Sequence, residues 1–138
     1  MNVIDSSGWL EYFIGGKNAK FFAPVIEDTA NVIVPTVSIF EVFKRTLVEK
    51  GRDDALEAVA MMYDGKIIDL DREIALIAAE LSFELKLPMA DSIILATARA
   101  NDAILWTQDE HFKGLAWVKY VKKPKSHKNP SPNSAGSD

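Results

Sequence analysis

No cysteine occurs in the 138 residues, and that absence removes thiolate nucleophiles, disulfides and cysteine-ligated zinc together. It fits a protein of the reducing cytosol. Histidine is nearly as scarce, with His111 and His127 the two present, so a two-histidine ribonuclease mechanism would have to recruit the C-terminal end. No apolar run approaches the roughly 18 residues of a membrane span, and no basic segment followed by an apolar one opens the chain. A cytoplasmic protein with no membrane association is expected. Length excludes a second domain, while 48% apolar content supplies one unit with an ample core.

The net charge is a modest −4, but it is unevenly placed. Residues 1–121 carry 12 Lys/Arg against 19 Asp/Glu, a net of −7, whereas residues 122–138 carry four Lys and one Asp, a net of +3. The second stretch is built from Lys, Pro, Ser, Asn and Gly without a large apolar residue. It is expected to be a disordered basic tail following a folded domain over 1–121. It is either a solvated end or a short electrostatic arm for a nucleic-acid backbone.

Within the body, strand and helix patterns alternate. Asn2 to Asp5 reads as a strand, and Trp9, Leu10, Phe13 and Ile14 take helical spacing up to Gly15-Gly16. Lys17 to Asp28 repeats that spacing around an interrupting Pro24. Asn31 to Val34 is β-branched and leads into a helix marked by Phe40, Phe43 and Leu47 that stops at Gly51. Asp54 to Tyr63 is helical, and Lys66 to Leu70 is a third strand. From Asp71, the expected N-cap, Ile74, Ile77, Ala78, Leu81 and Leu85 form one helix face. Pro88 opens a buried helix running to Asn101. Ala103 to Trp106 and Trp117 to Val121 complete the strands. Strands separated by helical crossovers predict an α/β fold: three α/β/α layers around a mainly parallel sheet of four to five strands.

Four carboxylates recur at one kind of place. Asp5, Glu41, Asp91 and Asp109 each follow a strand or sit in the first turns of a helix, positions that a parallel sheet gathers at the carboxyl ends of its strands. Each has a bland role alone. Asp5 can cap the first helix, Glu41 forms a capping box with Ser38, Asp91 suits a helix N-terminus, and Asp109 can cap a short turn. Together they would repel one another unless a cation held them. Hard oxygen donors without cysteine suit Mg²⁺ or Mn²⁺, and carboxylate-held pairs of such ions serve phosphodiester hydrolysis.

Asp5-Ser6-Ser7, Glu41, the run Ala90-Asp91-Ser92-Ile93-Ile94-Leu95-Ala96-Thr97-Ala98, and Thr107-Gln108-Asp109-Glu110-His111-Phe112 resemble the PIN domain. More closely, they look like the VapC-type ribonuclease toxins of type II toxin–antitoxin modules. The resemblance covers about residues 1–121. It implies metal-binding acids at Asp5, Asp91, Glu41 and Asp109, with Thr107 as a polar companion. It further implies a Mg²⁺-dependent endoribonuclease acting on RNA, a homodimer, and a cognate antitoxin that covers the acidic pocket. A catalytically silent PIN-like binding module and a PIN nuclease of RNA maturation are the alternatives.

An acidic body leaves phosphate contacts to local cations, of which Lys17, Lys20, Lys44, Arg45, Arg99 and the tail are the candidates. Trp9 and Phe21-Phe22 are candidates for a dimer or antitoxin surface, Trp106 for the core, and His111 for a surface or packing position. Other chemistries fit poorly. Gly15-Gly16-Lys17 lacks the Gly and Ser/Thr of a phosphate loop, having Glu11 and Asn18 there. A haloacid-type phosphotransferase would need an aspartate at Ser7, and a receiver domain an acidic pair where Asp5 stands alone.

Overall fold

The structure, a computed structural model, describes residues 1–125. Most of the expected tail therefore lies outside the described residues. Residues 122–125 have no regular structure, and Asn18 Nδ2 donates to the Lys122 carbonyl at 3.0 Å.

Five strands form one sheet: β1 (Asn2–Ile4), β2 (Val32–Pro35), β3 (Lys66–Ile68), β4 (Ile104–Thr107) and β5 (Val118–Tyr120). Their spatial order is β3-β2-β1-β4-β5, and every neighbouring pair is parallel. Six helices supply the crossovers: α1 (Ser6–Ile14), α2 (Ala19–Glu27), α3 (Thr36–Lys50), α4 (Arg52–Met62), α5 (Arg72–Leu85) and α6 (Met89–Ala100). None among the described residues is long and apolar enough to cross a membrane.

The strands' period of two divides the core into two layers. Val3, Ile33 and Leu105 face α5 and α6, whereas Ile4, Val32 and Val34 face α1, α2, α3 and α4. Three layers result, as the alternating pattern implies. The chain first winds from β1 out to β3, then returns through α5 and α6 to lay β4 on the other side of β1. That reversal makes the carboxyl ends of β1 and β4 the topological switch point, where open α/β sheets form their crevice.

Some boundaries differ from the sequence expectation. The edge strand β3 stops at Ile68, where its ladder with β2 runs out, instead of reaching Leu70. At the other edge Trp117 has φ +63°, which keeps it out of β5 and leaves it 66% exposed. Pro24 lies inside α2 and does not break it. The expected cap at Asp71 is present, accepting from the Ile74 amide at 2.9 Å.

Gly8 lies where α1 packs closely on both β1 and α2 near the switch point. A Cβ there would lie 2.6 Å from Ile4 Cγ2 and 2.7 Å from Phe22 Cε1. Gly8→Ala gains about 1 kcal/mol of helix propensity but overpacks a buried junction, which costs about 1–3 kcal/mol. A net loss of stability is expected in urea denaturation, and a midpoint at or above that of the wild type would contradict so close an approach.

Candidate active site

Asp5 leaves β1 and caps α1. Its Oδ1 accepts from the Gly8 amide at 2.9 Å and the Ser7 hydroxyl at 2.8 Å, and its Oδ2 accepts from Thr107 Oγ1 at 2.7 Å. The residue is 2% exposed. Burial pushes its carboxyl up to about 7, with the Asp109 charge adding to the rise and the three hydrogen bonds opposing it. An anion held there without a formal positive charge among these partners is one a cation would relieve.

Thr107 ties the switch point together. While donating to Asp5, its Oγ1 accepts from the Asp109 amide at 2.8 Å, so one buried hydroxyl spaces the ends of β1 and β4. Thr107→Val removes both bonds in nearly the same shape. A loss of roughly 1–3 kcal/mol is expected, and Asp5 should titrate at still higher pH because the hydroxyl favours its charged form. Following the Asp5 carboxyl by NMR in metal-free protein checks this; an unchanged titration would remove Thr107 from its positioning role.

Asp109 caps a single 3-10 turn, Glu110–Phe112, by accepting from the His111 amide at 2.9 Å. Asp91 is the third residue of α6, in its first turn. Its carboxyl is raised by partial burial and then by the Asp109 charge, while a hydrogen bond from His111 lowers it and Glu41 raises it. Glu41 lies in the second turn of α3 and accepts from Ser6 Oγ at 2.5 Å. All four predicted acids line one cleft of about 420 Å³, together with Ser6, Ser7, Lys44 and Arg45.

The capping box of Ser38 and Glu41 does not form. Pro35 ends β2 and leads directly into α3, so Ser38 is inside the helix rather than at its cap. Its hydroxyl is buried without a hydrogen-bond partner, and Glu41 is free to turn toward Ser6 and the cleft.

His111 is the residue that sequence reasoning missed. Its Nδ1 lies 2.7 Å from Asp91 Oδ2 and 3.1 Å from Asp109 Oδ1. The Asp91 hydrogen bond and the Asp109 charge raise its pKa, favouring the imidazolium that bridges the two acids. The ring is half exposed, as a surface position implies, but it faces the site. The available signal was its place two residues after Asp109, within the turn that Asp109 caps.

The aromatic expectations also change. Trp9 is 2% and Phe22 0% exposed, packed between α1, α2 and the sheet, so neither offers a partner surface. Trp106 is half-buried, with its indole Nε1 donating to Asn2 Oδ1 at 2.8 Å and its ring 5.3 Å from that of Phe21. Among the candidate cations, Lys44 and Arg45 reach the cleft, whereas Arg99 lines a separate hollow beside Trp117. Lys17 and Lys20 are exposed and do not line the cleft.

Carboxylate oxygens without a thiolate are donors that suit a hard divalent ion. Among the described residues, Asp91, Asp109 and His111 bring atoms able to ligate a metal within 4.8 Å of one another. The residues present therefore fit a metal.

A family model for the PIN domain matches residues 3–118. The chain belongs to the PIN domain family. Several solved structures share the fold. A toxin–antitoxin complex from Klebsiella pneumoniae aligns with TM-score 0.71 and 24% identity, covering 86% of this PIN domain chain and 96% of the other. VapBC2 from Rickettsia felis, solved bound to a DNA fragment from its promoter, aligns with TM-score 0.68 and 14% identity over 88% and 97%. VapC20 from Mycobacterium tuberculosis, described as a sarcin–ricin loop cleaving toxin, aligns with TM-score 0.66 and 12% identity over 82% and 92%. No curated protein gave a significant sequence match to this PIN domain chain.

Proposed function

We propose that this PIN domain, spanning residues 1–121 ahead of a basic tail, is a Mg²⁺- or Mn²⁺-dependent endoribonuclease and the toxin of a type II toxin–antitoxin pair. The observation that carries the reading is the convergence of Asp5, Glu41, Asp91 and Asp109 on one cleft at the switch point, with Asp5 buried and held up to about 7. These four acids are the metal ligands in this reading. A divalent ion held by Asp5, Glu41, Asp91 and Asp109 would supply an activated water and positive charge for phosphodiester hydrolysis.

The other side chains hold that constellation. Thr107 spaces Asp5 from Asp109, Ser6 orients Glu41, and His111 offsets the charge of Asp91 and Asp109. Lys44 and Arg45, on the α3 wall, are placed to meet phosphates of an RNA strand entering the cleft. Arg45 shares its charge with Glu49 at 2.6 Å, so Lys44 is the freer of the two.

The toxin part of the reading draws on the neighbours, one described as a toxin–antitoxin complex and another as a sarcin–ricin loop cleaving toxin. Exposed apolar side chains support the partners it requires. Phe40 and Val48, 62% and 76% exposed beside the acids, suit a cognate antitoxin that covers the cleft. Leu76, Phe83 and Met89, 70%, 81% and 76% exposed on α5 and α6, suit a homodimer.

Induction in a bacterial host separates the readings. The wild-type chain should arrest growth and leave discrete RNA fragments, while Asp91→Asn should do neither. RNA cleavage without growth arrest would favour a nuclease of RNA maturation. Growth arrest with intact RNA would overturn the nuclease and leave the binding-module reading.

A further inference from the structure

The acidic cleft continues past the metal-binding residues. A second hollow of about 470 Å³ shares Ser7 and Asp109 with the first and is walled by His111, Tyr120, Lys122 and Lys123. Cations thus flank the acids on both sides: Lys44 and Arg45 from α3 on one, Lys122 and Lys123 beyond β5 on the other.

The segment carrying these lysines is held in register. Asn18 precedes α2 but makes no side-chain cap bond to it. Its Nδ2 donates instead to Gln108 Oε1 at 2.9 Å and to the Lys122 carbonyl at 3.0 Å. Buried Glu11 accepts from the Asn18 amide at 2.8 Å, and Gln108 is the neighbour of Asp109 in sequence. The network therefore connects the backbone at Lys122 to the same turn that aims Asp109, while both lysine side chains remain exposed.

We infer that Lys122 and Lys123 form a phosphate-binding subsite for the RNA strand on the β5 side of the scissile bond, positioned by Asn18. The inference rests on the ribonuclease reading of the cleft. Residues 1–121 carry a net of −7, so the body as a whole repels a polyanion, and phosphates beside the acids need cations at short range. A strand lying across the cleft passes from Lys44 over the acids to the two lysines, with its reacting phosphate at the centre and the flanking phosphates over positive charge. Glu110 also lines the second hollow, so the lysines, rather than the hollow in general, define the subsite.

The test is binding of a single-stranded RNA of about 12 nucleotides to the full chain carrying Asp91→Asn in EDTA, across about 50–200 mM salt. Adding Lys122→Ala and Lys123→Ala should weaken binding about tenfold at the low-salt end. It should also reduce the slope of log K against log salt by about 1.4, the value for two phosphate contacts on a single strand. Lys122→Arg with Lys123→Arg should restore both. An unchanged slope while the wild type cleaves RNA in Mg²⁺ overturns the subsite and leaves the nuclease standing. A lowered slope without any cleavage by the wild type supports the subsite and overturns the nuclease. Asn18→Ala keeps both charges and should weaken binding several-fold; affinity equal to the parent's would overturn its positioning role.

Discussion

Asp5→Asn is expected to reduce metal-dependent RNA cleavage by about 10³-fold or more and, in the same protein without metal, to raise the melting temperature. The two effects have one cause. The folded metal-free protein holds the Asp5 proton more tightly than the unfolded chain does, since the carboxyl moves from 3.8 up to about 7. A raised acid contributes its full stability below about pH 4, loses it progressively as pH rises to about 7, and costs a constant amount above that. At 1.36 kcal/mol per unit the cost is about 4 kcal/mol in metal-free protein above pH 7.

Asparagine has no charge to desolvate. Its carbonyl can accept from the Gly8 amide and Ser7 hydroxyl, and its amide can donate to Thr107 Oγ1, so the cap and the β1–β4 link persist. Thr107 must then find another acceptor, which limits the gain to part of that 4 kcal/mol. Melts in EDTA at pH 8 should place the variant several degrees above the wild type, with the gap closing toward pH 4. Mg²⁺ should raise the wild type and leave the variant nearly unchanged. A variant less stable than the wild type in EDTA at pH 8 would contradict a desolvated, destabilising carboxylate at Asp5.

Phe112→Ala is expected to cost roughly 3–5 kcal/mol, the range for removing a fully buried aromatic ring from a core. A domain of ordinary stability has about 5–15 kcal/mol in total, so about a fifth or more of it is at stake. Phe112 is 0% exposed and packs in the layer between the sheet and α5–α6. It also closes the turn that carries His111 and is capped by Asp109. The cavity should therefore loosen the acidic site as well as the fold, lowering divalent-ion affinity at least tenfold. Urea denaturation and calorimetric titration of Mn²⁺ read the two losses separately. A large loss of stability with unaltered ion affinity would detach the turn's packing from the site.

Periodicity made the fold legible because the crossover helices carry apolar positions at helical spacing and the strands short apolar or alternating runs. The parallel sheet followed from the alternation alone. Edge limits were less legible: β3 and β5 end where their neighbours run out, a fact that no residue in either strand announces. At the site, the four acids were recognisable by their position after strands and at helix starts. His111 was not, since a single half-exposed histidine has no pattern, and only the turn at Glu110–Phe112 brings it to Asp91, 20 positions earlier. Ser38 misled in the opposite direction. Its spacing to Glu41 matches a capping box, but Pro35 starts the helix too early for that geometry. Trp9 and Phe22 were misplaced because aromatic residues near a predicted site read equally well as surface or core. The tight junction at Gly8, invisible in one dimension, decides for core.

Cleavage of total cellular RNA by purified wild type and Asp91→Asn, each in Mg²⁺, in Mn²⁺ and in EDTA, tests the central claim most directly. The account predicts discrete fragments from the wild type with either metal, none in EDTA, and none from a folded Asp91→Asn under any condition. Equal cleavage by Asp91→Asn, or an inert wild type that is folded and metal-loaded, would contradict it.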